Sequence, residues 1–221
     1  KSRGIEPHTY NTTCPFVEKV WNRSEQLGQK GYTIVIHGRA RHEETRATFS
    51  HARSAAPSLV IQDMKEAREL AEFITGARKA SEFTDHFKGR YSPGFDPQKD
   101  LQRIGVVNQT TMLATETHET SEYLKETMAD HFETDEPGNR FADTRDTLCY
   151  ETSENQQALY ALLESGGEVA IIVGGYNSSN TSHLVELCER AMPTFYVKDE
   201  QEIGSLEEIR HLNTHQGQVQ T

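Results

Sequence analysis

Cysteine, proline and tryptophan are scarce in this 221-residue sequence, with three, seven and one respectively. The three cysteines, Cys14, Cys149 and Cys188, include no CxxC pair, and an odd number excludes a closed disulfide framework. Long apolar runs are lacking as well. None approaches the roughly 18 residues that a membrane-spanning helix needs, and the opening "KSRGIEPHTY" has no apolar core of the kind a signal peptide carries. A soluble, intracellular protein without a membrane partner is expected. Basic residues are in deficit, 23 Lys and Arg against 34 Asp and Glu, for a net charge of -11. That balance argues against a general affinity for nucleic acid or an anionic membrane, both of which rest on a basic face. A small phosphate ligand stays compatible, because a local site can be basic in an acidic protein.

Apolar residues make up only 34% of the chain and mean hydropathy is -0.73, yet they are gathered in clear blocks. The length suffices for one large or two small cores. Short β-branched runs at 32–38 ("YTIVIHG"), 58–62 ("SLVIQ"), 103–109 ("RIGVVNQ"), 168–175 ("EVAIIVGG") and 194–199 ("TFYVKD") read as strands. Helical patterns separate them. Asp63 with Glu66 three positions on resembles a capping box opening "MKEARELAEFI", "ETSEYLKETMADHF" reads as a second helix, and Ser153 with Gln156 caps "ENQQALYALLES". Such alternation predicts α/β units with parallel sheets. The polar stretch 76–102 breaks the rhythm and reads as an excursion, 134–147 as the domain boundary, and the end of the chain after Gly204 as frayed. The expected division is 1–145 and 146–221.

Ligands of open parallel sheets bind beyond the carboxyl ends of the strands, where loops enter helix N-termini. Three polar loops leave strands there: "HGRARHEET", "NQTT" and "GGYNSSNTSH". In the last, two glycines permit a tight turn and five small polar residues follow where a helix starts, which suits a phosphate oxygen. A plain N-cap would need only one such residue. Thr110 and Thr111 in "NQTT" allow the same two readings. His42 and Glu44 are candidates for handling protons, since a carboxyl in a partly dry site is pushed towards the neutral range. A solvated surface pair is the plainer alternative, and Arg39 and Arg41 equally fit solvent-facing charges. Pro15 suits a first helical position, which makes Cys14 the N-cap and favours its thiolate. Cys149 also precedes a helix, so the two thiols are candidate ligands of one metal centre, whereas Cys188 falls inside a helix.

These strings, "TTCPFVEKVW", "HGRARHEETRAT", "GFDPQKDL", "NQTTML", "LCYETSENQQAL" and "GGYNSSNTSHL", occur in the order and spacing of one enzyme family. From about 10 to 203 the sequence resembles the 4-hydroxy-3-methylbut-2-enyl diphosphate reductases of the non-mevalonate isoprenoid pathway, most of all their cyanobacterial and plant-type members. The resemblance implies a trefoil-like architecture of three α/β units around a 4Fe-4S cluster, each unit giving one cysteine. Cys14 and Cys149 match two of those ligands and Cys188 matches none. His42 and Glu44 match residues around the substrate hydroxyl, with Glu44 as proton source, and Thr110, Ser178 and Asn180 match substrate-binding positions, the last two on the diphosphate. The implied reaction is a two-electron reductive dehydroxylation to isopentenyl or dimethylallyl diphosphate, with electrons from ferredoxin or flavodoxin, in the cytoplasm or a plastid stroma.

The family's first unit, with its "GFC"-type cysteine motif, and its closing "GAS"-type serine motif have no counterpart here, so the sequence reads as a fragment holding the second unit and most of the third. Two other functions compete: a phosphate-binding α/β module whose cysteines are structural, and a zinc hydrolase using His42, Glu44 and the cysteines, for which no recognised ligand spacing such as HExxH exists. On the fragment reading, this chain by itself does not turn over the diphosphate. An assay with dithionite and a viologen donor checks this, and measurable product would overturn the expectation.

Overall fold

The structure, a computed structural model, describes residues 12–133, 137–142, 147–205 and 207–221. Residues 134–136 and 143–146 of the expected boundary lie outside these. The chain divides into two compact units, one of residues 1–110 and 115–148, the other of 111–114 and 149–221.

The first unit contains α1 (Pro15–Gln29), β1 (Thr33–His37), α2 (Glu43–Ala55), β2 (Ser58–Ile61), α3 (Met64–Ile74), the short α4 (Phe83–His86) and α5 (Pro97–Asp100), β3 (Ile104–Asn108), α6 (Ala114–His131) and β4 (Phe141–Ala142). Its sheet is parallel in the order β2-β1-β3-β4. All five residues of β1 are buried, as a strand covered on both faces requires. Alternation sends Val35 to one core with Leu59, Leu70, Val106 and Leu124, and Ile34 and Ile36 to the other with Val20, Leu27 and Val107. The expected strands and the α/β class are therefore present, with strand ends trimmed by a residue or two.

The stretch 76–102 is more than a polar excursion. Phe83, Phe87, Phe95 and Leu101 are buried in the first core, and Phe83 lies stacked on Phe95 at 4.9 Å and edge-on to Phe73 at 5.1 Å. Its basic residues grip α3. Glu66, Glu69 and Glu72, three apart on one helical face, pair with Arg90 at 2.5 Å, His86 at 2.9 Å and Arg78 at 2.7 Å. Asp63 caps α3 by accepting from the Glu66 N–H at 2.9 Å, while the Glu66 carboxylate accepts from the Gln62 N–H at 2.7 Å. The sequence pattern obscured this packing because the four-residue spacing of Phe83, Phe87, Tyr91 and Phe95 is interrupted by Gly89, Pro93 and Gly94, which break a continuous helix.

The second unit holds α7 (Tyr150–Glu164), β5 (Ala170–Val173), α8 (Ser179–Glu189), β6 (Thr194–Val197), β7 (His211–Asn213) and β8 (Gln218–Gln220). Strands β5 and β6 pair in parallel, and Ala170 and Ile172 face a core of Leu113, Leu159, Leu187 and Cys188. The other β5 face, with Ile171 and Val173, is exposed together with neighbouring Val169. Residues 111–114 are held in this unit by Gln156, which accepts from the Ala114 N–H at 2.9 Å and donates to the Met112 carbonyl at 3.1 Å. Two expectations need correction. Helix α7 begins at Tyr150 with Cys149 as N-cap, so Ser153 lies inside it, its N–H already bonded to the Cys149 carbonyl at 3.0 Å. The end of the chain is an antiparallel β7–β8 hairpin tied by Thr214 to Glu189, not a frayed tail.

The buried aromatic packing generates a stability prediction. Phe83→Ala empties a fully buried ring site, and urea unfolding should register a loss of about 3–5 kcal/mol. A loss under about 1 kcal/mol would mean that 76–102 does not belong to the cooperative core.

Candidate functional site

Parallel pairing of β1 with β3 sets His37 opposite Asn108, so the two strands end level and their following loops meet. The meeting is close. A Cβ on Gly38 would stand 2.7 Å from Thr45 Oγ1 and 2.9 Å from the Gln109 Cβ, which only glycine avoids. Gln109 Oε1 accepts from the Arg39 N–H at 3.1 Å and from the Thr45 hydroxyl at 2.9 Å. The Asn108 carboxamide donates to the Gln109 carbonyl at 3.1 Å and accepts from Thr147. Gln109, absent from the residues singled out in the sequence, thus fastens the loop that carries the expected proton donors. Its only signal was a polar residue at the carboxyl end of a buried strand.

His42 is the N-cap of α2. Its Nδ1 accepts from the Glu44 N–H at 3.3 Å, which requires that nitrogen to be unprotonated and leaves the ring proton on Nε2. Glu44, in the first turn, aims its carboxylate at the β3 end. Thr110 donates its N–H to Oε1 at 2.5 Å and its hydroxyl to Oε2 at 3.0 Å. Burial raises the Glu44 pKa above its usual 4.5, and the two Thr110 bonds only partly offset that shift. His42, Glu44 and Thr110 are thus brought together in the first unit.

In the second unit, β5 leads through Gly174 and Gly175 into α8. A Cβ on Gly174 would lie 2.6 Å from Thr181 Oγ1, so the turn is as tight as the paired glycines suggested. Ser178 is the N-cap, its Oγ accepting from the Thr181 N–H at 3.2 Å and from the Thr181 hydroxyl at 2.9 Å. With both acceptor positions filled, its own proton points elsewhere. Asn180 Oδ1 and His183 Nε2 are buried in the same helix without a hydrogen-bond partner among the described residues. Tyr176 in this turn donates to Glu202, and burial followed by that bond pushes its pKa up to about 12. Cys188 is buried, and burial, then Glu189, raises its thiol pKa.

Cys14 caps α1 with Pro15 at the first helical position, and Cys149 caps α7. Neither thiol makes a capping hydrogen bond; Cys14 is exposed and Cys149 half-buried. Each stands at a helix start, and a cysteine sulfur is a soft ligand of the kind that iron and zinc take. Among the described residues no three His, Cys, Asp or Glu side chains form a metal-holding group. No described helix is long and apolar enough to cross a membrane.

Comparison with known proteins places the chain in a family. The LytB protein family model matches residues 1–216, and the chain belongs to that family. It is 42% identical over 188 residues to the 4-hydroxy-3-methylbut-2-enyl diphosphate reductase of a Picosynechococcus strain, covering 85% of this chain and 46% of the relative. The reductase of the same name from a Cyanothece strain is 38% identical over 206 residues, covering 93% and 50%. The chain therefore spans about half the length of the curated relatives it matches. Among solved structures, the E-1-hydroxy-2-methyl-but-2-enyl-4-diphosphate reductase of Plasmodium falciparum superposes with a TM-score of 0.59 at 19% identity, over 87% of this chain and 49% of that one, which shows a shared fold.

The Glu44 environment predicts a pH signature. Its folded pKa is raised, so the native state keeps a proton that the unfolded chain releases, and its contribution to stability is full below about pH 4.5 and declines as pH rises through the folded pKa. Glu44→Gln lacks this slope. Urea titrations of both proteins between about pH 4.5 and 7.5 should show the wild type losing stability relative to the variant; parallel curves would contradict the buried carboxyl.

Proposed function

We propose that this chain forms part of a reductase that removes the hydroxyl of an allylic diphosphate, 4-hydroxy-3-methylbut-2-enyl diphosphate, to give isopentenyl and dimethylallyl diphosphate. The observation that carries the reading is the half-dry Glu44 carboxyl clamped by Thr110 beside His42. The overall change takes two electrons and two protons; one oxygen leaves as water and one proton ends on carbon. Loss of hydroxide from carbon is slow unless the oxygen is protonated as it departs, and a carboxyl whose pKa is raised by burial keeps such a proton to higher pH than an exposed glutamate. Thr110 fixes the carboxyl in place, and His42, whose Nδ1 accepts the capping bond, carries its ring proton on Nε2 as a donor suited to the hydroxyl oxygen.

In the second unit, taken by itself, the N-terminus of α8 suits a diphosphate. Ser178 retains a hydroxyl proton to donate, and the Asn180 carboxamide, turned over, places N–H where its unpartnered oxygen now stands. Anionic oxygens are favoured there by the helix end. Cys14 and Cys149 fit two thiolate corners of a 4Fe-4S cluster, with further ligands from outside the described residues. When bound, that cluster supplies one-electron transfer and an iron able to polarise a carbon–oxygen bond. Ferredoxin or flavodoxin fits the requirement for electrons delivered singly, in a cytoplasmic or stromal setting.

Anaerobic reconstitution with iron and sulfide tests the reading. The wild-type chain should take up iron and give an electron paramagnetic resonance signal on reduction, and a Cys14→Ser, Cys149→Ser double variant should lose both. Iron bound equally by the variant would leave the cysteines structural and favour a phosphate-binding module.

A further inference from the structure

We propose that an arginine-lined cleft on α2 docks the acidic protein that delivers electrons to the site, an inference that rests on the reductase reading. The cleft encloses about 700 Å³ between α2, β2 and the turn at Gly89 and Arg90, all within the first unit. Arg41, Arg46, Arg53 and Arg90 line it against a single acid, Glu43, in a chain where acids outnumber bases by 34 to 23. Its lining also includes Phe49 and Val60, and Arg53 lies over the Phe49 ring at 5.7 Å. Arginines around a small apolar patch are the composition of a protein-binding surface.

The charges there are not consumed internally. Arg46 is 66% exposed and meets Glu43 only at 3.5 Å, a pair with negligible strength at that exposure. Arg41 and Arg53 are exposed; Arg90 alone is committed, to Glu66 at 2.5 Å, and holds the wall of the cleft. The surplus positive charge therefore faces outward, where it steers and orients an acidic partner.

Position adds the second argument. Loop residues alternate in direction where β1 passes into α2: Arg41 and Glu43 line the cleft, while His42 caps the helix and Glu44 turns to Thr110. A carrier seated on the arginines lies against the backbone that holds the proton-donating pair. The reaction consumes two electrons, so two docking events, each leaving one oxidised carrier, serve one turnover. A compact acidic carrier of the plant-type [2Fe-2S] ferredoxin class fits better than a nucleic acid, which needs an extended basic stripe that a protein of charge -11 does not offer.

Calorimetric titration of the 221-residue chain with an oxidised plant-type [2Fe-2S] ferredoxin tests the proposal. Binding should weaken about tenfold or more between low and moderate salt. An Arg46→Glu, Arg53→Glu variant should weaken it at least about tenfold, while Lys99→Glu, Lys125→Glu, with the same change in net charge, should leave it within about twofold. No binding, or equal weakening by both variants, overturns the proposal. So does an RNA 20-mer that binds through Arg46 and Arg53 while ferredoxin does not. Iron reconstitution is read separately: a cluster that assembles without ferredoxin binding condemns the docking surface alone, and binding without a cluster condemns the reductase reading alone.

Discussion

The level ending of β1 and β3 is the constraint on which the Glu44–Thr110 site depends. Parallel register places His37 and Asn108 side by side, and everything beyond follows from two loops leaving from one line. Gly38 lets them touch, Gln109 ties both, and Glu44 spans the gap to Thr110. Shifting the register by a residue would exchange the faces of each strand as well as separate the loops. Core burial and site geometry are therefore specified by the same pairing, and neither can drift without the other.

The chemistry of the loop after β1 is divided by helix geometry. A residue before α2 uses its ring to cap the helix, and the second residue inside is turned back over the strand ends. The capping bond fixes the His42 tautomer, and burial keeps the nearby carboxyl protonated to higher pH than a surface glutamate. His42 and Glu44, two positions apart, are thus held by different partners, one by capping the helix and the other by Thr110. In the second unit the same architectural device, strand into glycine turn into helix, is filled with small hydroxyl and amide groups, which suit a fixed anion and not proton transfer.

Much of this was legible beforehand. Buried β-branched runs locate strands because a sheet covered on both faces admits few polar residues, and Cys14 before Pro15 marks a helix start through proline's fixed backbone angle. Glu44 and Thr110 stood out as polar residues at strand ends. What escaped was non-local. Cysteine is a weak capping residue, so Ser153 looked the better start for α7, although the helix begins at Tyr150. The phenylalanines of 76–102 recur at multiples of four residues, but Gly89, Pro93 and Gly94 interrupt any helix between them, and the contacts of Phe83 and Phe87 with Phe73 on α3 are set by the fold. Gln109 gave no pattern because its partners, Arg39 and Thr45, are fixed by the fold and not by sequence distance.

The bare face of β5 has a practical consequence. Val169, Ile171 and Val173 present a β-branched surface beside a strand edge with no neighbour among the described strands. Such an edge is a template for intermolecular pairing. An exposed apolar strand of this kind favours self-association of the chain. Chaperone dependence and low yield at high temperature would then trace to this strand, and charged substitutions at Val169 or Val173 are the direct way to improve handling.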